Sequence, residues 1–239
     1  MTTRDTFEQW TAAEDFDALL SLGNEVTYES GRHLMWQGDV ADCVMVLRSG
    51  YVQVLDRGDD GLRRVLGFRK RGELLGELAY FGDGRRTASV IAYGLVTVVK
   101  IPGRRFQAFL DRHPRVYQAI VRMLALRLHT VERRRAGKAV ARVLRELVDL
   151  AQAFSDDRDR KVVLPVTQEV LGQLADMSYP SAQRAVRALR RRNLLDPGSR
   201  KLTVPCQGCL RRAAQAPPDY GNPINGCGGS PTCPQRVGT

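Results

Sequence analysis

Residues 76–89 read GELAYFGDGRRTAS. A glycine at position 76 lets a backbone approach a ligand closely. Glu77 follows with two acceptor oxygens, suited to a ribose hydroxyl. Gly82 and Gly84 loosen a turn, and Arg86 then brings a planar, permanently charged fork suited to a phosphate. If a short helix opens after Gly76, its first N–H groups face the same anion. A strand at Ser89–Ala92 closes the unit. One acid for a sugar and one arginine for a phosphate, around a glycine turn, describe a grip on a phosphorylated ligand without phosphoryl-transfer machinery. The plainer reading of the same residues is a surface loop with an ion pair between Glu77 and Arg86.

Around this stretch, residues 20–101 read as short strands. Val44–Leu47 and Tyr51–Leu55 are apolar or alternating runs separated by Ser49-Gly50. The polar tip at 57–61 leads to Arg64–Phe68, and after the glycine-rich loop come Ser89–Ala92 and Leu95–Ile101. Several short strands with regular turn signals predict an antiparallel sandwich or roll. Pro102 and Gly103 end the strands, and Pro114 announces a long helix. Along it Tyr117, Val121, Leu124, Leu128 and Val131 recur at alternating spacings of four and three, the a/d seam of a coiled coil. The seam predicts a homodimer. The competing reading packs this helix on its own domain. Gly137 predicts a bend, since glycine costs a helix about 1 kcal/mol relative to alanine. Val140, Leu144, Leu147, Ala151 and Phe154 then mark a second amphipathic helix.

Residues 166–204 carry a second signal. Thr167 caps a helix whose apolar face is Val170, Leu171, Leu174 and Ala175. Met177-Ser178 makes a tight turn. Ser178 caps a second helix running to about Arg192, with Pro180 in its first turn, where backbone N–H groups lack partners anyway. Ala182, Ala185, Val186 and Leu189 face the core, and Gln183, Arg184, Arg187 and Arg191 face outward. Two helices about a short turn, with arginines on the second, describe a helix-turn-helix. The turn at 196–199 and the run Lys201–Val204 add a hairpin wing. Thr167, Gln168, Ser178, Tyr179, Gln183, Arg184 and Arg187, with Arg200 and Lys201 on the wing, are the candidate DNA contacts.

The composition agrees. The chain has 239 residues and a formal net charge of +11. That excess points to a polyanion only if it is focused. It is focused: between Ser178 and Asn193 stand Arg184, Arg187, Arg190, Arg191 and Arg192 and no acid. Arg133-Arg134-Arg135 reads as a solvated face. No apolar run approaches the ~20 residues that span a bilayer. The N-terminus is polar and acidic rather than a secretory signal, so the expectation is a cytoplasmic protein with no membrane partner. No nucleophile–base pair, open metal site or phosphate-binding loop of an NTPase stands out, so no enzyme is expected. Of the five cysteines, Cys43 sits in an apolar run and reads as buried and inert. Cys206, Cys209, Cys227 and Cys233 lie in the last 34 residues. A Cys-x-x-Cys is half a zinc site, and four cysteines could also hold an iron–sulfur cluster, with zinc the better fit. The plain alternative is a disordered tail with free thiols.

Gly76-Glu77-Leu78-Ala79 with Arg86-Thr87-Ala88 resembles the phosphate-binding cassette of cyclic-nucleotide-binding domains, with weaker similarity upstream at Gly38-Asp39 and Ser49-Gly50. Cassette, seam helix and winged helix-turn-helix together resemble the Crp–Fnr family of bacterial transcription regulators over about residues 15–205. The resemblance implies an α+β chain in four parts. Residues 1–113 form a jelly-roll-like β-barrel holding the effector, with the cassette as its only internal helix. Residues 114–137 form the dimerisation helix and hinge, 138–205 the winged helix-turn-helix, and 206–239 a cysteine-bearing tail. It further implies a homodimer on double-stranded DNA, gated by cAMP or cGMP and working with RNA polymerase. Gly76, Glu77, Leu78, Arg86 and Thr87 would hold the ligand. At the positions where members that respond to cyclic AMP often carry Thr-Ser, this chain has Val131-Glu132: valine cannot hydrogen-bond, and an ionised glutamate only accepts. Where many members begin the recognition helix with Arg-Glu, it has Tyr179-Pro180, while Arg184 matches a base-contacting arginine. The iron–sulfur members carry their cysteines near the N-terminus, which is not the case here. Two other classes of function remain open: a redox or metal sensor using the C-terminal cysteines beside a vestigial nucleotide pocket, and a nucleotide-regulated protein-interaction module.

Overall fold

The computed structural model describes residues 6–58, 61–135, 137–155, 161–198 and 201–215. The chain divides into two compact units, Met1–His129 and Thr130–Thr239.

The first unit opens with two short helices, α1 (Phe7–Trp10) and α2 (Ala13–Leu20). The strands follow: β1 (Asn24–Tyr28), β2 (His33–Met35), β3 (Cys43–Arg57), β4 (Arg63–Lys70) and β5 (Leu74–Leu75). The short helix α3 (Glu77–Phe81) precedes β6 (Ser89–Pro102), and α4 (Gly103–Leu110) leads to α5 (Pro114–Arg135). The strands make one antiparallel six-stranded sheet of order β1-β6-β3-β4, with β2 added to β6 and β5 to β3. The four runs read from the sequence around positions 50 and 94 are two long strands paired from Cys43↔Pro102 to Leu55↔Ser89. The register slips at Ser49 and Tyr51, around Gly50. A Cβ on Gly50 would stand 2.3 Å from the Leu95 carbonyl oxygen, so the strand bends there without breaking.

The period of two along β3 sorts its side chains into two cores. Val44 and Val46 join Phe7, Phe16, Leu19, Phe106, Phe109 and Leu110 of the helices. Cys43, Met45 and Leu47 join Met35, Leu75, Val96 and Val98 on the other face. The antiparallel sheet of this unit agrees with the α+β class expected from the sequence, and α3 of the cassette is the only described helix between its strands.

The expectation that Pro102-Gly103 ends the strands was half the story. The pair also opens α4, whose Phe106, Phe109 and Leu110 are fully buried. The polar start of the chain is helical too. Thr6 and Gln9 form a capping box, with the Thr6 N–H donating to Gln9 Oε1 at 3.2 Å.

The second unit carries α6 (Ala139–Phe154), β7 (Val162–Leu164), α7 (Gln168–Leu174), α8 (Tyr179–Arg191), β8 (Asp196–Pro197), β9 (Leu202–Val204) and α9 (Gln207–Gln215). The helical run stops between α5 and α6 at Gly137, where the sequence suggested a bend. β7-β9-β8 make a small antiparallel sheet. β7 was not expected; it pairs Val162↔Val204 and Leu164↔Leu202, tying the wing to the start of the domain. Nor was α9, where the sequence suggested only a cysteine-bearing tail. Leu210 and Ala213 of α9 are buried, and α9 packs on α6. Among the described residues no helix is long and apolar enough to cross a membrane.

Candidate functional site

The cassette lies between β5 and β6 and contains α3. Gly76 has φ +83°, in the left-handed region that disfavours a side chain. A Cβ there would also meet Arg86 Nη1 at 2.4 Å and Met35 Cε at 2.9 Å. Gly76 is therefore required by its own backbone and by the arginine beside it. Arg86 is held by the upstream Gly38-Asp39 pair. Its N–H donates to the Asp39 carbonyl and its own carbonyl accepts from the Gly38 N–H, both at 2.8 Å. The guanidinium turns inward and is 5% exposed. Nη2 donates to the Cys43 carbonyl at 2.8 Å, Nη1 donates to the Gly76 carbonyl at 3.3 Å, and the Asp42 carboxylate is 3.5 Å away.

The thiol of Cys43 lies in the same network. Burial, then its hydrogen bond to Asp42, pushes its pKa from 9.0 up to about 11. The Cys43 thiol in turn holds the Asp42 carboxyl below the usual carboxylate range, with Lys100 and Arg86 adding to the effect. Cys43 is thus a neutral, buried thiol near neutral pH, as the sequence suggested. The expected outcome is that an alkylating reagent leaves Cys43 unmodified in the native chain and labels it after denaturation, as mass spectrometry of peptides will record.

Glu77 is 2% exposed, and its partner is not Arg86. Its carboxylate pairs with Nη1 of Arg127, on α5. Nη2 of the same guanidinium lies 3.2 Å from Glu73 Oε2 and donates to the Leu74 carbonyl at 3.0 Å. Glu73 and Arg127 were not singled out from the sequence. An arginine lying among the seam positions of a helix carries no mark of the strand it will reach. Glu77 and Arg86 therefore flank Gly76 from two sides, each held by residues of its own unit. Leu78 and Thr87 are exposed.

α5 has two apolar faces. Val116, Ala119, Ile120 and Met123 are buried in the helical core. Of the seam residues, Tyr117 and Leu124 pack partly against that core, whereas Val121, Leu128 and Val131 are 63%, 62% and 48% exposed. The reading of a helix packed on its own domain thus holds for Tyr117 and Leu124, while Val121, Leu128 and Val131 are left exposed. Val131 stands one turn beyond Arg127 on the same helical face, and Glu132 beside it is exposed.

In the second unit, the Thr167 hydroxyl accepts from the Val170 N–H at 3.2 Å and caps α7. Gly172 brings α7 against α8: a Cβ on this glycine would stand 3.1 Å from Ala182 Cβ. The chain turns through Asp176, at φ +50°, and the Met177 N–H donates to the Gly172 carbonyl at 3.0 Å. Arg142 of α6 braces this turn by donating to the Ala175 and Asp176 carbonyls. No sequence pattern marked that brace. α8 begins after Ser178 with Pro180 in its first turn and buries Ala182, Ala185, Val186 and Leu189, the four positions expected. Tyr179, Arg184 and Arg187 are exposed. Nη2 of Arg184 donates to the Ser181 hydroxyl at 3.1 Å, and the Ser178 and Ser181 hydroxyls are 3.1 Å apart. Gln168, Gln183, Arg187 and Arg190 line one shallow concavity with Val186 and Pro197. The wing is real: Asp196↔Thr203 and Pro197↔Leu202 pair, and Lys201 is exposed. Arg200 lies outside the described residues, as do Cys227 and Cys233. Cys206 and Cys209 are buried at the start of α9.

The cyclic nucleotide-binding domain family matches residues 25–113, and the Crp-like helix-turn-helix domain family matches residues 140–212. The chain belongs to the Crp–Fnr family of transcription regulators. Among its relatives, the CRP-like cAMP-activated global transcriptional regulator of Mycobacterium tuberculosis is 26% identical over 71% of this chain and 78% of its own length. The cAMP-activated global transcriptional regulator CRP of Salmonella typhimurium is 24% identical over 74% of this chain and 87% of its own. The solved structure of the c-di-GMP responsive global regulator CLP of Xanthomonas campestris superposes with a TM-score of 0.66 at 23% identity, covering 81% of this chain and 99% of that one. The Crp-like match runs to Arg212, so the family's DNA-binding domain takes in the first part of α9.

Proposed function

We propose that this Crp–Fnr regulator is a homodimer that reads a two-fold symmetric DNA site and is gated by a cyclic nucleotide bound at the cassette. The carrying observation is the pairing of Glu77 with Arg127. A ribose hydroxyl at Glu77 would share a carboxylate already committed to α5. A cyclic phosphate at Arg86 would compete with the Cys43 and Gly76 carbonyls for one guanidinium. The ligand would therefore act on α5, which continues without a break from Arg127 to Arg135. Val131 and Glu132 lie on that stretch and would meet the base. Their chemistry supplies an acceptor and no donor, so it suits an exocyclic amino group. The two curated relatives are named for activation by cAMP and the Xanthomonas regulator for its response to c-di-GMP, which supports a nucleotide effector. Calorimetry with a panel of cyclic mono- and dinucleotides tests the reading. Saturable binding of one member is expected; no heat with any member overturns it.

The DNA-reading half of the proposal rests on α8. Its buried side is Ala182, Ala185, Val186 and Leu189, so its arginines are left on the outer side. Arg184 would pair with a guanine edge from the first turns of the helix, and Tyr179 and Gln183 would flank it. Gln168 and Arg187, with Thr167 and Ser178 at the helix starts, and Arg200 and Lys201 on the wing would position the duplex through its backbone. An arginine pairing with guanine gives about 1–3 kcal/mol of discrimination. Arg184→Ala is thus expected to lose preference among operator variants as well as affinity. Lys201→Ala should weaken all DNA alike and reduce the slope of affinity against salt. Binding titrations on operator variants at several salt concentrations check both. Recruitment of RNA polymerase belongs to the same reading.

A further inference from the structure

We infer that Arg190, near the far end of α8, grips a phosphate of the DNA backbone together with Arg187 and Gln168. The inference rests on the reading of α8 as the helix that meets DNA. Arg190 is exposed and lines the shallow concavity with Gln168, Gln183, Val186, Arg187 and Pro197. Three parts of the second unit meet there: the first residue of α7, one flank of α8 and the wing strand β8. Among the described residues, none of Gln168, Gln183, Arg187 and Arg190 makes a side-chain hydrogen bond or ion pair. Two guanidiniums and two amides thus surround one hollow with their donors unused. Glu169 and Asp196, the acids next in sequence to the lining residues, are not part of the lining, and α8 itself carries no acid. Unused donors and uncompensated positive charge fit an anion, and the planar forks of two arginines fit a phosphate. Val186 and Pro197 add apolar surface for the sugar beside it.

Helix geometry separates a phosphate contact from a base contact. At 3.6 residues per turn, each step of three residues swings a side chain by about 60° around the axis. Arg184, Arg187 and Arg190 therefore form a fan. Arg190 points about 120° away from Arg184 and stands about 9 Å further along the axis. With Arg184 directed at base edges, Arg190 does not reach the same floor. The major groove is about 12 Å wide, close to the diameter of a helix with its side chains. A side chain on the flank of such a helix meets the strand that bounds the groove, and that strand presents phosphate. Arg187 lies between the two directions, beside Arg190 in the hollow. The hollow is shallow, so a small free anion is little enclosed there, whereas a duplex is anchored at many phosphates at once. Arg190 thus adds to affinity and sets the register of the helix, while Arg184 supplies the sequence preference.

The test uses the full chain and a duplex that it selects from random DNA. Arg190→Ala is expected to bind this duplex and a scrambled one about tenfold more weakly per bound subunit, with the ratio of the two unchanged. The slope of log affinity against log salt should fall by about one per bound subunit. Arg104→Ala removes the same charge from an exposed position on α4 of the first unit and should change both affinities by less than about twofold. With no side-chain partner for Arg190 among the described residues, the variant should melt with the wild type. Methylphosphonate substitution then locates the contact. Neutralising one phosphate in each half-site should weaken the wild type as much as Arg190→Ala does, and should weaken the variant no further. Three results overturn the inference alone, with the wild type still binding its duplex: full affinity and an undiminished salt slope in Arg190→Ala, an altered preference among operator variants, or additive losses at every phosphate substituted. A wild-type chain that binds no duplex overturns the reading of α8 as well.

Discussion

The double variant Val121→Asp/Leu128→Asp is expected to run as a monomer and to lose tight operator binding. Both side chains stand more than half exposed on α5, so neither change disturbs the core that holds Val116, Ala119, Ile120 and Met123. In a paired seam the two carboxylates of each helix would face those of the other in a desolvated strip, and each uncompensated charge there costs several kcal/mol. A single reading head then meets a single half-site. Specific binding by this class of protein typically exceeds its non-specific binding by about 10³ or more, and most of that margin depends on both half-sites being held at once. The expected loss is therefore roughly a thousandfold, with melting temperature little changed. Sedimentation velocity and a titration on a selected palindromic duplex measure the two effects. A wild-type chain that sediments as a monomer at micromolar concentration, with or without DNA, contradicts the seam. Leu124, the third central seam position, is a poorer choice of test, because it packs partly against the core of its own domain.

Arg86→Ala carries the second large effect. Within the folded chain this side chain is a structural donor to two carbonyls, of Cys43 and Gly76. Its removal leaves buried acceptors without it, at about 1–3 kcal/mol, so the melting temperature should fall. Nucleotide affinity should fall as well. A hydrogen bond to a charged group contributes about 1.5–3 kcal/mol, which is roughly a ten- to hundredfold loss. Arg86→Lys separates the two effects. It keeps the charge and loses the planar fork, so it should retain more stability than the alanine variant yet still bind nucleotide weakly. Calorimetric titration of folded variants decides the matter; undiminished nucleotide affinity in folded Arg86→Ala would place the phosphate elsewhere.

Elements with a strict period were readable from the residues alone. The buried face of α8 follows from apolar residues at 182, 185, 186 and 189, and the strands around Gly50 from alternation and turn residues. What escaped the sequence was of two kinds. Short helices such as α4 begin with residues that usually stop structure, and the burial of Phe106 and Phe109 in one core with Val44, Val46, Val99 and Ile101 holds α4 in place. Long-range polar partners were the second kind. Glu77 and Arg86 are both visible in the cassette, but the pairing of Glu77 with Arg127, fifty residues on, depends on how α5 lies against β5. The same holds for Arg142, whose bonds to the Ala175 and Asp176 carbonyls brace the turn of the helix-turn-helix. Local pattern specifies which residues are inward; the fold decides which charges meet.

The coupling of ligand to DNA reading is the centre of the account, and one measurement addresses it. A duplex selected by the chain from random DNA is titrated at fixed salt, with and without each cyclic nucleotide at saturation. The account predicts that one nucleotide shifts the affinity for the palindromic duplex and leaves a scrambled duplex unaffected, and that Arg86→Lys abolishes the shift. Superimposable curves for the palindromic duplex with every nucleotide and without any would contradict it.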